Sequence, residues 1–170
     1  PTVAKLAQVS TEGEVCLVAN ENDPMQNVVS GNKAAVERAV ELAKERGARR
    51  ALMLPVSAPF HCALMTPAAA EMAQALDGVE IKAPEVPVVA NVLAAGVTNP
   101  TVIRSLLVDQ VSGRVRWRTS VEWMVERCVT RFWEHGAGKA LTGIIRRIAK
   151  DVENRAVGSA GEVAEAADMI

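Results

Sequence analysis

The chain has only two histidines, and one lies in the stretch Val56-Ser57-Ala58-Pro59-Phe60-His61-Cys62-Ala63-Leu64-Met65. An imidazole titrates near neutral pH, so His61 could be a general base, a metal ligand, or a hydrogen-bonded residue in a packed corner. Metal chemistry fits poorly. Catalytic zinc usually takes three His, Cys or carboxylate ligands, commonly two at short fixed spacing, whereas His61 and Cys62 are adjacent and point apart on a helix or strand. A base also needs a nucleophile. Cys62 is expected to face a helix interior, and these residues contain no Gly-x-Ser-x-Gly elbow.

Other stretches offer less. Gly136-Ala137-Gly138-Lys139-Ala140 hints at a phosphate loop, but no glycine stands five positions before Gly138, and Ala140 takes the place of the magnesium-binding Ser or Thr. A tight strand-to-helix turn is the expectation, at the edge of an α/β sheet where ligands bind. Trp117, Trp123 and Trp133 are too dispersed for a base-stacking platform and are read as core. Arg146, Arg147 and Lys150 make a basic helix end, either solvated or turned to an acidic partner.

These residues must be positioned by elements that the local pattern suggests. Residues 14–20 (EVCLVAN) read as a strand ending in the turn-forming stretch Asn20 to Pro24, and residues 27–31 as its partner. Asn32 can cap a helix with apolar positions Val36, Ala39, Val40 and Ala43, closed by Gly47. Residues 50–56 (RALMLPV) read as a strand, 63–76 as a helix, and 84–92 (PEVPVVANV) as an edge strand or one that starts late. Helices are then expected over 101–110, 119–128 and 140–150, strands at 130–134 and weakly near 156–157, and a last helix from Gly161. Residues 1–6 look like the opening of a helix. The first 56 residues thus run helix, strand, strand, helix, strand, a split βαβ pattern lacking one upstream strand. The alternation predicts an α/β architecture with a largely parallel sheet.

Composition narrows the partners. With 19 basic and 20 acidic residues among 170, no global field draws the chain to nucleic acid or an anionic membrane. No apolar run approaches membrane-spanning length, no signal peptide opens the chain, and Cys16, Cys62 and Cys128 are odd in number and far apart. A soluble cytoplasmic protein with free thiols is expected.

The chain resembles, over almost its whole length, the later part of bacterial malonyl-CoA:acyl carrier protein transacylases. The resemblance is carried by Asn20-x-Asn22-x-Pro24-x-Gln26 with Val29-Ser30-Gly31, by Ala34-Ala35-Val36-Glu37-Arg38-Ala39, and by Arg50-Ala51-Leu52-x-Leu54-Pro55-Val56-Ser57-x-Pro59-x-His61-Cys62-Ala63-Leu64-Met65. It continues through Pro84-x-Val86-Pro87-Val88-Val89-x-Asn91-Val92, through Gln110-(x)4-Val115-Arg116-Trp117, and through Glu134-x-Gly136-x-Gly138-Lys139-x-Leu141-Thr142-Gly143.

The resemblance implies that His61 relays a proton for a serine in a ping-pong cycle, held in one tautomer by the backbone carbonyl of Gln110, whose side chain would matter little. It implies that Phe60 narrows the acyl pocket in favour of malonyl, although a core phenylalanine is the alternative. Asn20 and Asn22 would hydrogen-bond the pantetheine arm, although turn formation alone also explains them. Arg116, Arg146, Arg147 and Lys150 would meet an acidic carrier. The implied partners are malonyl-CoA and acyl carrier protein, with no metal or redox cofactor. The implied fold is α/β: part of an α/β-hydrolase-like acyltransferase core over residues 56–170, with an incomplete ferredoxin-like small subdomain over 1–55 that lacks its first strand.

The serine elbow, the malonyl-gripping arginine and the glutamine turn of the oxyanion site lie upstream in the family and are absent here. A fragment that is inactive alone is therefore expected. Met25 stands where glycine is common and Asn27 where an apolar residue is usual. A polyketide acyltransferase and a non-catalytic scaffold remain as alternatives.

Overall fold

A computed structural model describes residues 2–169. Helix α1 (Val3–Val9) leads into strands β1 (Cys16–Asp23) and β2 (Gln26–Gly31) and helix α2 (Lys33–Glu45). The strands form an antiparallel hairpin with register shifts between Val18 and Asn20 and between Glu21 and Asp23. This corrects the expected turn at Asn20–Pro24, because Asn20 and Asn22 lie within β1 and the turn is confined to Pro24-Met25. The irregularities let a polar run stay paired while the strand twists. At the hairpin end the buried Asp23 accepts the Met25 N–H at 2.7 Å and the Arg147 Nε–H at 2.5 Å.

Asn32 stands at the N-terminus of α2 as expected, but its side chain caps no helical N–H. Instead its Oδ1 accepts the Val15 N–H at 2.8 Å, and its own N–H donates to Val15 O at 2.9 Å. Gly31 permits this close approach, since a Cβ there would stand 1.9 Å from Val15 O. Ala7, Cys16, Ala35 and Ala39 form the core beneath α1 and α2, with Val29 and Val36 against it. Small side chains let both helices lie close to the hairpin.

Arg50–Val56 forms no strand. Among the described residues it has no ladder partner, and Leu52, Met53, Leu54 and Val56 are exposed. A strand is completed by a neighbour's hydrogen bonds, which local propensity cannot supply.

A short 3₁₀ turn (Ala63–Met65) and α3 (Thr66–Asp77) follow His61. The expected strand over 84–92 contracts to β3 (Val88–Ala90), paired antiparallel with β4 (Ala95–Val97). Helix α4 (Pro100–Ser112) packs on α3 and on the 3₁₀ turn. Its start is set by Pro100 in the first turn and by Asn99, whose Oδ1 accepts the Thr101 and Val102 N–H groups.

Helices α5 (Trp117–Val125) and α6 (Ala140–Ile148) flank β5 (Arg131–His135), which pairs in parallel with β6 (Glu153–Val157) before α7 (Ala160–Ala167). Val121, Phe132 and Ile145 make a second core, joined by Trp117 and Met124. The mixed α/β class therefore holds. The largely parallel sheet does not, because the described strands form three two-stranded ladders and only β5–β6 is parallel.

Candidate active site

The Ser57–Met65 segment folds tightly on itself. The Phe60 N–H donates to Ala58 O (3.0 Å), the Met65 N–H to Cys62 O (3.0 Å), and the Cys62 thiol to Pro59 O (3.1 Å). His61 sits between these bonds at φ +58, a left-handed conformation that an L-residue adopts at a cost of about 1–2 kcal/mol. The surrounding local bonds hold that conformation, which turns the two neighbouring side chains to different environments. Cys62 is fully buried, but it stands in extended conformation before the 3₁₀ turn and not in the helix that was expected to enclose it. His61 is half-buried and Phe60 exposed.

His61 Nδ1 lies 2.9 Å from the backbone oxygen of Gln110. A carbonyl oxygen only accepts, so Nδ1 carries the proton and Nε2 keeps a free lone pair. Gln110 lies in the last turn of α4, where carbonyls lack partners within the helix. The imidazole therefore supplies one of α4's missing donors.

The end of α4 is packed closely. The Gly113 N–H donates to Asp109 O at 2.8 Å, and a Cβ on Gly113 would stand 2.6 Å from Val92 Cγ1 and 2.7 Å from Asp109 O. The side chain of Gln110 is engaged as well, accepting from Asn91 Nδ2 at 3.2 Å. Sequence reasoning singled out the Gln110 carbonyl but missed Asn91, whose only signal was its place in the PVVANV stretch.

Asn20 and Asn22 lie on β1, away from the His61 turn in sequence but joined to its support. The Val115 N–H donates to Ala19 O (2.8 Å) and the Glu21 N–H to Val115 O (2.9 Å), a one-residue parallel bridge at Asn20. The Arg116 N–H then donates to Asn91 O at 3.1 Å. Both asparagines are half-buried.

The other candidate positions also acquire surroundings. The α6 N-terminus holds an anion from this same chain, because Glu134 accepts the Leu141 and Thr142 N–H groups and the Thr142 hydroxyl. Those bonds with Thr142 and Leu141 hold the Glu134 carboxyl below its ordinary range, despite some desolvation. The Gly136–Lys139 stretch is thus the strand-to-helix turn expected. Trp117 packs against the second core, whereas Trp123 lies beneath the Arg127 guanidinium, 3.9 Å from its ring centre. Arg146 and Lys150 are exposed, and Arg147 is tied to Asp23. Burial pushes the Asp23 carboxyl up. The Arg147 hydrogen bond and charge, with the Met25 and Gln26 N–H groups, outweigh it and hold the group below the usual carboxylate range.

No family model matches the chain. It is 43% identical over 168 residues to the malonyl CoA-acyl carrier protein transacylase of Escherichia coli K12, covering 99% of this chain and 54% of that protein. The Bacillus subtilis transacylase is 41% identical over 150 residues, 88% of this chain and 47% of that protein. An acyl-carrier-protein S-malonyltransferase from Bartonella henselae superposes with a TM-score of 0.94 at 48% identity, covering 98% of this chain and 53% of that one. A malonyl transacylase solved with a type II PKS acyl carrier protein superposes at 0.91 with 37% identity, covering 99% of this chain and 54% of that one. The chain spans about half the length of the curated relatives it matches. Similarity extending through the His61 turn, the α4 end and the β1 hairpin alike means that the chain belongs to the malonyl-CoA:acyl carrier protein transacylase family and corresponds to the C-terminal part of such an enzyme.

Proposed function

We propose that the chain supplies the base and part of the substrate cleft of an enzyme that moves malonyl from coenzyme A to the phosphopantetheine thiol of acyl carrier protein. The observation that carries this reading is the His61 Nδ1–H bond to Gln110 O, which leaves Nε2 as a lone-pair acceptor. Nε2 takes the proton of a serine hydroxyl contributed by the other half of the enzyme, and the serine oxygen attacks the malonyl thioester. The imidazolium gives that proton to the departing coenzyme A sulfur. In the second half-reaction Nε2 takes the proton of the carrier thiol, the sulfur attacks the malonyl-serine ester, and the proton returns to the serine oxygen.

In this reading residues 1–55 are a ferredoxin-like small subdomain short of its first strand, and residues 56–170 belong to a hydrolase-like core. Phe60 borders the acyl α-carbon, and Asn20 and Asn22 hydrogen-bond the pantetheine arm. Arg116, Arg146 and Lys150 face the acidic carrier, whereas Arg147 is already engaged by Asp23. No metal or redox cofactor takes part, and the reaction belongs to fatty acid synthesis in the cytoplasm.

Trapping with labelled malonyl-CoA tests this in the complete polypeptide. A covalent malonyl adduct that carrier thiol discharges is expected; a complete polypeptide forming no adduct refutes the reading and favours a scaffold. The similarity to a transacylase solved with a type II PKS carrier favours one second reading, the same chemistry serving a polyketide carrier. Higher kcat/KM with such a carrier than with a fatty-acid carrier would decide for it.

A further inference from the structure

We propose that Asn91 is a positioning residue for the His61 base, acting through Gln110. The contacts run in series. Asn91 Nδ2–H donates to Gln110 Oε1 at 3.2 Å, and Gln110 O accepts from His61 Nδ1 at 2.9 Å. Side chain and backbone of Gln110 thus have separate tasks, one receiving the tie and the other orienting the ring.

Asn91 is itself anchored. It follows β3, and its backbone oxygen accepts the Arg116 N–H at 3.1 Å, next to the Val115 bridge to β1. Asn91 and the Val115–Arg116 pair together therefore link the strand bearing Asn20 and Asn22 to the helix end that holds the imidazole. A cavity of about 180 Å³ lies between β3 and α4, bordered by Val89, Ile103, Leu106, Leu107, Asn91 and Gln110. At the edge of this gap the Asn91–Gln110 amide bond ties the last turn of α4 to the residue that follows β3. Losing it lets the Gln110 carbonyl drift from Nδ1, and the imidazole can then protonate Nε2, the atom that must accept.

The catalytic consequence rests on the malonyl-transfer reading; the tautomer does not, and the two are measured separately. The complete polypeptide is labelled with ¹⁵N in the histidine rings. The wild-type His61 signal is expected to show a protonated Nδ1 and an unprotonated Nε2. Asn91→Leu is expected to shift His61 toward the Nε2-protonated form and to lower kcat by about tenfold, with KM changed by less than about twofold, a coupling of the size seen for residues in one hydrogen-bonded network.

A charge series avoids an apolar substitution. Asn91→Asp and Gln110→Glu each leave one amide that can turn to donate, so each is expected to keep the Nδ1-protonated form. Their combination opposes two carboxylates and is expected to lose it, with recovery as acid protonates one of them. An unaltered His61 tautomer in Asn91→Leu overturns the proposal. So does a carboxylate double variant that keeps the Nδ1-protonated form at every pH, and so does one whose tautomer acid does not restore. A wild-type polypeptide without malonyl transfer would refute the functional reading and leave the tautomer result to stand by itself.

Discussion

Replacing His61 separates catalysis from backbone strain in a way that can be calculated. His61→Ala removes the Nδ1–H bond to Gln110 O, a neutral hydrogen bond with a net value of about 1 kcal/mol. Because the ring is half-buried, water can reach the carbonyl once the ring is gone, so a larger loss is not expected. Alanine keeps the left-handed strain of φ +58. His61→Gly loses the same hydrogen bond but is relieved of about 1–2 kcal/mol of strain, set against about 0.5–1 kcal/mol of extra unfolded-chain entropy.

Glycine should therefore exceed alanine by roughly 0.5–1 kcal/mol and come close to the wild type. Urea unfolding followed by tryptophan fluorescence measures this. With a slope of about 2 kcal/mol per molar, the midpoints of the two variants should differ by about 0.3–0.5 M. Both variants should lose about 10²–10⁴-fold in malonyl transfer by the complete polypeptide, the usual contribution of a general base. An alanine variant as stable as glycine or more so refutes the strain argument. Near-normal turnover in either refutes His61 as the base.

Three further outcomes follow from particular contacts. Arg147→Met leaves the Asp23 carboxylate buried without its cation and should cost about 2 kcal/mol at neutral pH, read by chemical denaturation. Since the folded-state Asp23 value lies below the ordinary one, its contribution is fully present above about pH 4 and disappears as pH falls through the folded value; the variant should lose that part of the acid-side slope. Gly113→Ala drives a Cβ into Val92 and Asp109 O, so the end of α4 must shift, and turnover should fall at least about tenfold with the Nδ1 proton of His61 exchanging faster by NMR. Phe60→Ala should reduce preference for malonyl- over methylmalonyl-CoA by about 10-fold or more in kcat/KM, the scale of one methyl group in a filled pocket; an unchanged ratio places the ring outside that pocket.

The helices were legible because their signals are local. The spacing of Val36, Ala39, Val40 and Ala43 announces α2 with no information needed from distant residues. The β1–β2 hairpin was legible for the same reason, although its turn was placed too early because the bulged strand absorbs Asn20 and Asn22. Arg50–Val56 has strand composition but no ladder among the described residues, and a ladder depends on a partner that the segment itself does not specify.

The sequence by itself, read through its ordered motifs and the family they resemble, determined that His61 was the group to examine and that the Gln110 carbonyl was its expected partner. Only the tertiary structure decided how they meet. Forty-nine residues separate His61 from Gln110, nineteen separate Asn91 from Gln110, and 124 separate Asp23 from Arg147. Each contact forms where separately folded elements dock, and a hydrogen bond acting over about 3 Å leaves no periodicity or spacing along the chain that would disclose it beforehand.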